Sequence, residues 1–242
     1  MTLRIAMWSG PRNISTAMMR SWENRADCSV VDEPFYAAYL SATGLEHPCR
    51  EEILLSQSSD YQQVINAMTC AEVATPLQYL KQMTHHMPAD LDMGWCVSLR
   101  HCFLIRDPAQ VIASYVQKMP SVSEGDIGIR RQAELFHQIT SVTGTVPAVI
   151  DSNDVLKNPE KILGELCNYL EIDFPKEQML HWPAGKRASD GVWAHHWYNN
   201  VEQSTGFGEY LEKSPTLSEE QWALAEAMKS YYDELAELRI HP

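Results

Sequence analysis

Two kinds of apolar stretch take turns along the chain. Short runs with scarcely a polar residue, Ile5-Ala6-Met7-Trp8 and Cys102-Phe103-Leu104-Ile105 the clearest, suit strands of a parallel sheet buried on both faces. Longer stretches carry apolar residues three and four apart, as helices covering such a sheet require. In the last of them Leu217, Trp222, Leu224, Ala225, Met228, Tyr231, Tyr232 and Leu235 wrap one face. The pattern predicts strands over 3–8, 28–32, 100–106 and 146–151, with a shorter strand-like entry near 77–81. Helices are predicted over 14–25, 108–118, 126–140, 159–170 and 217–238, with a helical middle from about 34 to 70 and a loop from 171 to 216. Strand and helix in alternation imply an α/β fold in three layers, a central parallel sheet with helices on both faces, and ligands at the carboxyl ends of the strands. No linker, repeat or low-complexity tract divides the chain, so residues 1–242 are expected to form a single domain.

Two of the strand-to-helix turns carry chemistry. After the first strand, Gly10-Pro11-Arg12-Asn13-Ile14-Ser15-Thr16 opens a helix whose free backbone N–H groups and dipole favour an anion. The plainer reading is a connection in which Ser15 or Thr16 caps the helix. The turn is not a Walker A loop, which needs a second glycine followed by Lys and Ser or Thr; Ser15, Thr16 and Ala17 stand there instead. After a later strand, Arg106-Asp107-Pro108 repeats the layout, with Asp107 as cap and Pro108 at the first helical position. Ser114 lies about two turns into that helix and can converge with Arg106 on one anion, or else bond back into its own helix.

In these two turns, and in their order, the chain resembles the sulfotransferases. Arg12, Asn13-Ile14 and Ser15-Thr16 stand where that family has its 5′-phosphosulfate loop, and Arg106 with Ser114 eight residues on has the spacing of its 3′-phosphate site. The segment 147–160 resembles the family's fifth strand and following helix entry, and Lys186-Arg187 before Gly191 and Trp193 its late basic loop. The resemblance implies a P-loop-like fold and transfer of a sulfuryl group from 3′-phosphoadenosine 5′-phosphosulfate (PAPS), leaving 3′,5′-ADP, to a hydroxyl or amine of a small-molecule acceptor, with no metal required. Arg12, Asn13, Ile14, Ser15, Thr16, Arg106, Ser114, Lys186 and Arg187 would hold the donor. Lys81, in a segment like the family's third strand, would meet charge on the departing oxygen. Met83 replaces the histidine base of cytosolic members, so Glu33, after the second strand, is the expected base and His85 the alternative. Glu33 and Lys81 are expected on either side of the Arg12 to Thr16 loop. A charge before Pro34 at a helix start is the plainer reading of Glu33. A small-molecule kinase and a non-catalytic nucleotide-binding protein are the rival classes.

Composition narrows the classes further. A net charge of −13 over 242 residues argues against a nucleic-acid partner. Cations are few, so Arg12, Lys81, Arg106, Lys186 and Arg187 could focus a local positive field within an acidic molecule. The six cysteines show no CxxC spacing and the nine histidines no HExxH pattern, so neither disulfides nor a metal are implied. No apolar run approaches the roughly 20 residues of a membrane span, and the chain enters a strand at once, from which a cytoplasmic location and no membrane partner are expected. Acceptor identity and oligomeric state stay open at this level.

Overall fold

The computed structural model describes residues 2–119, 121–212 and 214–241. Its centre is a sheet of five parallel strands, β1 (Leu3–Ser9), β2 (Cys28–Asp32), β3 (Leu77–Met83), β4 (Arg100–Ile105) and β5 (Ala148–Asp151), in the order β2-β3-β1-β4-β5. Strand alternation divides the core. Ile5 and Met7 of β1, Tyr79 of β3, Leu104 of β4 and Ile150 of β5 face one side, while Ala6, Trp8, Leu80, Phe103 and Val149 face the other. Because helices cover both sides, the strands read as continuous apolar runs rather than alternating ones.

The first side is covered by α1 (Ser15–Glu23), through Met18, Met19 and Trp22, with α2 (Tyr36–Thr43) and α3 (Arg50–Ser56) beyond it. On the second lies α4 (Tyr61–Cys70). After β4 come α5 (Pro108–Tyr115), α6 (Glu124–Ile127) and α7 (Ile129–Thr143). After β5 come α8 (Ser152–Lys157), α9 (Pro159–Tyr169), α10 (Lys176–Leu180), α11 (Ala194–Trp197), α12 (Asn199–Glu202) and the long α13 (Glu219–Ala236), which packs against α5, α7 and β5. The helical middle is thus three helices, broken at 44–49 and 57–60. The presumed loop after α9 holds three short helices, and β3 is a full seven-residue strand in the sheet interior. Trp222, expected on the buried face of α13, is 43% exposed because Ala225, Met228 and Leu235 set that face.

Strand order fixes where a ligand can enter. From β1 the chain steps outward to β2, returns through β3, then crosses to β4 on the far side, so the connections diverge between β1 and β4 and leave a crevice at their carboxyl ends. Gln132 of α7 bridges that point: its amide donates to the carbonyls of Trp8 (3.1 Å) and Leu104 (3.0 Å), and Asn13 also donates to Leu104. Replacing Gln132 by Leu leaves the Trp8 carbonyl without that partner in a buried setting. Unfolding in urea is expected to show a loss of about 1–3 kcal/mol, the cost of an unsatisfied buried polar group; a loss within about 0.5 kcal/mol would show that Gln132 does not tie the strands.

Candidate active site

The turn after β1 is held in an uncommon backbone conformation. Arg12 (φ 58°) and Ile14 (φ 44°) both lie in the left-handed region, where side chains other than glycine are strained. Alternation of this kind turns successive N–H groups toward one concave point, an anion-binding arrangement. Gly10 is required, since a Cβ there would sit 2.6 Å from the Ile127 carbonyl oxygen. Ile14 is the residue before α1, and no side chain caps the helix, so Ser15 and Thr16 are not capping residues and the first-turn amides stay free for a ligand. Asn13 is anchored through its amide nitrogen, yet its carbonyl oxygen Oδ1 is buried without a partner.

Arg106, at the end of β4, reaches across the crevice to this turn. Its Nη1 donates to the Arg12 carbonyl at 2.5 Å and its Nε to Gln110 Oε1 at 3.3 Å, while Arg12 Nε donates to Ser114 Oγ at 3.0 Å. Both guanidiniums and Ser114 thus line one crevice, held by carbonyl, amide and hydroxyl oxygens; among the described residues no carboxylate lies within salt-bridge reach of either guanidinium. Burial pushes Arg12 below its ordinary pKa. Burial and then the Arg12 charge do the same to Arg106, with the charges of Asp151 and Asp107 opposing them. Two desolvated like charges in one crevice are unfavourable until an anion joins them.

Glu33 follows β2 in a left-handed conformation (φ 42°), with its N–H bonded to the Lys81 carbonyl of β3. Register pairs Asp32 with Lys81, so one ammonium serves both carboxylates: Lys81 Nζ donates to Asp32 Oδ1 (2.9 Å), Glu33 Oε1 (2.7 Å) and the Tyr198 hydroxyl (2.6 Å). Tyr198 donates to Asp32 Oδ2 (2.7 Å) and accepts from Trp193 Nε1 (3.2 Å), and the Gly191 N–H also reaches Asp32 Oδ2 (3.1 Å). Burial alone would lower the Lys81 pKa, but the charges of Asp32 and Glu33 outweigh it and hold it well above the ordinary value. Glu33 is raised by burial, partly offset by the Lys81 charge. All three N–H bonds of Lys81 are committed, so it orients Glu33 rather than offering a donor to a ligand. The expectation that it meets the departing oxygen is replaced on that ground. Glu33 and Lys81 also lie on the same side of the Arg12 to Thr16 loop, because β3 sits between β2 and β1.

One cavity of about 420 Å³ joins the two halves, with Arg12 to Thr16, Arg106 and Ser114 at one end and Glu33 at the other. Around Glu33 the wall is aromatic: Tyr36 and Tyr39 stack on His86 with centroids 4.6 and 4.7 Å away, Trp193 packs edge-on to Tyr36 at 5.0 Å, and Trp197 and Tyr198 also line the cavity. His86 Nε2 lies 4.0 Å from Glu33 Oε2. Burial and the neighbouring His47 push His85 down to about 3, and burial, His85 and His47 hold His86 well below its usual value, so both imidazoles are neutral. His85 lines the cavity with Nδ1 unpartnered, and burial lowers its basicity where it raises that of Glu33. Met83 contributes only apolar wall.

The late basic loop is not brought to this cavity. Lys186 is exposed, and Arg187 turns to Glu23 at the far end of α1 (3.8 Å) and to the Gly185 and Lys186 carbonyls, with its own N–H on Asp190 (2.8 Å). Neither residue lines the cavity, so a contact with bound phosphate finds no support in this geometry. Asp32, Trp193, Trp197 and Tyr198 were not singled out for the site by sequence reasoning. The paired carboxylates before Pro34 and the aromatic density of 193–198 were the available signals.

The sequence matches the family model described as Sulfotransferase domain over residues 3–237. It is 36% identical over 203 residues to branched-chain-amino-acid aminotransferase-like protein 1 of Arabidopsis thaliana, an alignment covering 84% of this chain and 36% of that protein. The chain thus spans about a third of the length of the curated relatives it matches. Among solved structures, the sulfotransferase from Alicyclobacillus acidocaldarius superposes with a TM-score of 0.57 at 10% identity, covering 99% of this chain and 98% of that one. Mouse sulfotransferase SULT7A1 complexed with PAP superposes at 0.53 and 11% identity, covering 95% and 89%. These structural likenesses establish the fold, a parallel α/β sheet of the sulfotransferase kind.

The carboxylate pair makes Lys81 a folding requirement. Lys81→Met strands Asp32 and Glu33 together in the interior and is expected to cost about 3–5 kcal/mol at pH 7–8. The penalty shrinks on acidification, because loss of the Lys81 charge raises the Glu33 pKa further and proton uptake then neutralises that carboxylate. Urea unfolding at pH 5 and pH 8 checks this; equal losses at both would show that the pair is not held by charge.

Proposed function

The chain belongs to the sulfotransferase domain family, and from that premise we propose that it moves a sulfuryl group from PAPS to a hydroxyl or amine of a small-molecule acceptor. One observation carries the reading: two guanidiniums without a carboxylate partner share a crevice with an uncapped helix N-terminus, while a base faces the same cavity. Such a crevice suits a donor with phosphates at two positions. The αL turn at Arg12 and Ile14 fits an anionic ligand approaching the backbone closely.

The donor supplies an activated sulfuryl group on a phosphate leaving group. Arg12, Ser15, Thr16 and the amides around Asn13 and Ile14 bind that phosphate and stabilise the charge that grows on it as the sulfur–oxygen bond breaks. Arg106 and Ser114 take the 3′-phosphate. Glu33, oriented by Lys81, accepts the proton of the acceptor nucleophile as its bond to sulfur forms, and the aromatic wall holds the acceptor and excludes water. Positioning and charge stabilisation suffice for a transfer of this kind, as in phosphoryl transfer.

Two outcomes are expected. Arg106→Ala should weaken 3′,5′-ADP by about 1.5–3 kcal/mol in calorimetry, the range for charge-assisted hydrogen bonds, and weaken 5′-AMP distinctly less; equal losses would remove Arg106 from the 3′-phosphate. Once a metabolite and phenol screen with labelled donor yields an acceptor, kcat/KM should rise with pH along a limb above the usual carboxylate range, because Glu33 must be ionised and burial raises its pKa. Glu33→Gln should lower kcat roughly 10²-fold and abolish that limb, with 3′,5′-ADP affinity within about threefold. An unchanged limb in Glu33→Gln would assign the base elsewhere.

A further inference from the structure

Next in sequence to the cavity-lining His47, Trp193 and Trp197, the fold joins side chains from two segments that are far apart in the chain. Cys49, the residue before α3, Glu52 in its first turn and His195 of α11 place a thiol, a carboxylate oxygen and an imidazole nitrogen all within 4.8 Å of one another, the one such group of three among the described residues. His195 Nε2 lies 3.4 Å from Cys49 Sγ, while its Nδ1 meets the Val192 carbonyl oxygen at 2.8 Å. The second contact assigns the proton to Nδ1, donating to the carbonyl, and leaves the Nε2 lone pair facing the sulfur. Metal-bound histidines are oriented in this way by the bond their other nitrogen makes.

We infer that Cys49, Glu52 and His195 form a binding site for a borderline divalent cation, Zn²⁺ by donor chemistry, with a fourth position open to water. Sulfur and nitrogen bonds of about 2.3 and 2.0 Å at tetrahedral angles separate the two ligand atoms by roughly 3.5 Å, close to the spacing already present. Charge balances as well. A thiolate and a carboxylate neutralise a dication while the imidazole stays neutral, and binding releases the thiol proton to solvent. Calcium and magnesium, which take oxygen ligands, do not suit this donor set.

Its position gives the site a consequence. Cys49 closes the 44–49 segment that carries His47, and His195 lies between Trp193 and Trp197; His47, Trp193 and Trp197 all line the cavity, and His47 packs on Trp197 with centroids 5.9 Å apart. A bound ion would cross-link these two walls. It stands outside the transfer chemistry, so the site is independent of the reading above.

The test uses untagged full-length protein stripped with a chelator and titrated with Co²⁺, then with Zn²⁺ in competition. One equivalent of Co²⁺ should produce a thiolate-to-metal charge-transfer band that Zn²⁺ removes. Cys49→Ser should abolish the band and His195→Gln weaken binding at least about tenfold, whereas Cys70→Ser, altering an exposed cysteine outside the group, should change nothing. Zn²⁺ should also raise the Tm of the wild type and slow amide exchange over 44–49 and 193–198, and do neither in Cys49→Ser, whose metal-free Tm reports whether that variant folds. Absence of saturable binding at equimolar micromolar Co²⁺ overturns the proposal and leaves a plain thiol–imidazole hydrogen bond. So does a band unaffected by Cys49→Ser.

Discussion

Two buried arginines of one crevice, neither in a salt bridge, are the constraint around which this structure is organised. Arg12 and Arg106 come from turns 94 residues apart and meet because β1 and β4 are neighbours whose following connections diverge. Burial and mutual repulsion make the pair unfavourable alone, and the surrounding backbone compounds this. Two left-handed residues and an uncapped helix are arrangements that a chain selected only for stability would replace with a glycine or a capping side chain. The rigid sheet, with Gln132 and Asn13 bracing the strand ends, holds the arrangement in place.

The second half of the site obeys opposite electrostatics. Asp32 and Glu33 would repel one another in the interior, and Lys81, brought alongside by parallel register, makes their burial possible. Tyr198 and Trp193 extend the network to the segment after α9, so the aromatic wall is fastened to the same lysine that orients the base. A buried network satisfied in this way fixes side-chain direction more than it adds stability. One cavity thus contains two arginines and, among aromatic side chains, a carboxylate held by a buried lysine.

Local chemistry was the legible part of the sequence. Apolar runs marked four of the five strands directly, Asp107 and Pro108 open α5 as their types require, and the two strand-end arginines fall at the crevice. What the sequence concealed depends on contacts between distant segments. Lys81 looked like a free cation because nothing in its own strand shows that Asp32 and Tyr198 lie beside it. Lys186 and Arg187 looked like phosphate ligands by spacing, yet Glu23 and Asp190 hold their loop at the far end of α1. β3 reads weakly because its two buried faces include Lys81 and Gln82, one on each, polar residues satisfied only by tertiary partners. The grouping of Cys49 with His195 spans 146 residues and has no motif spacing at all.

The central claim is that the crevice between β1 and β4 recognises a nucleotide carrying phosphates at two separate positions and does so without a metal. Calorimetric titration of the protein with 3′,5′-ADP and with ATP, each in EDTA and in Mg²⁺, tests it most directly. The account predicts that 3′,5′-ADP binds at one site with the same affinity in both buffers and more tightly than ATP in either. Tighter binding of ATP that depends on Mg²⁺ would contradict it and make the site that of a kinase.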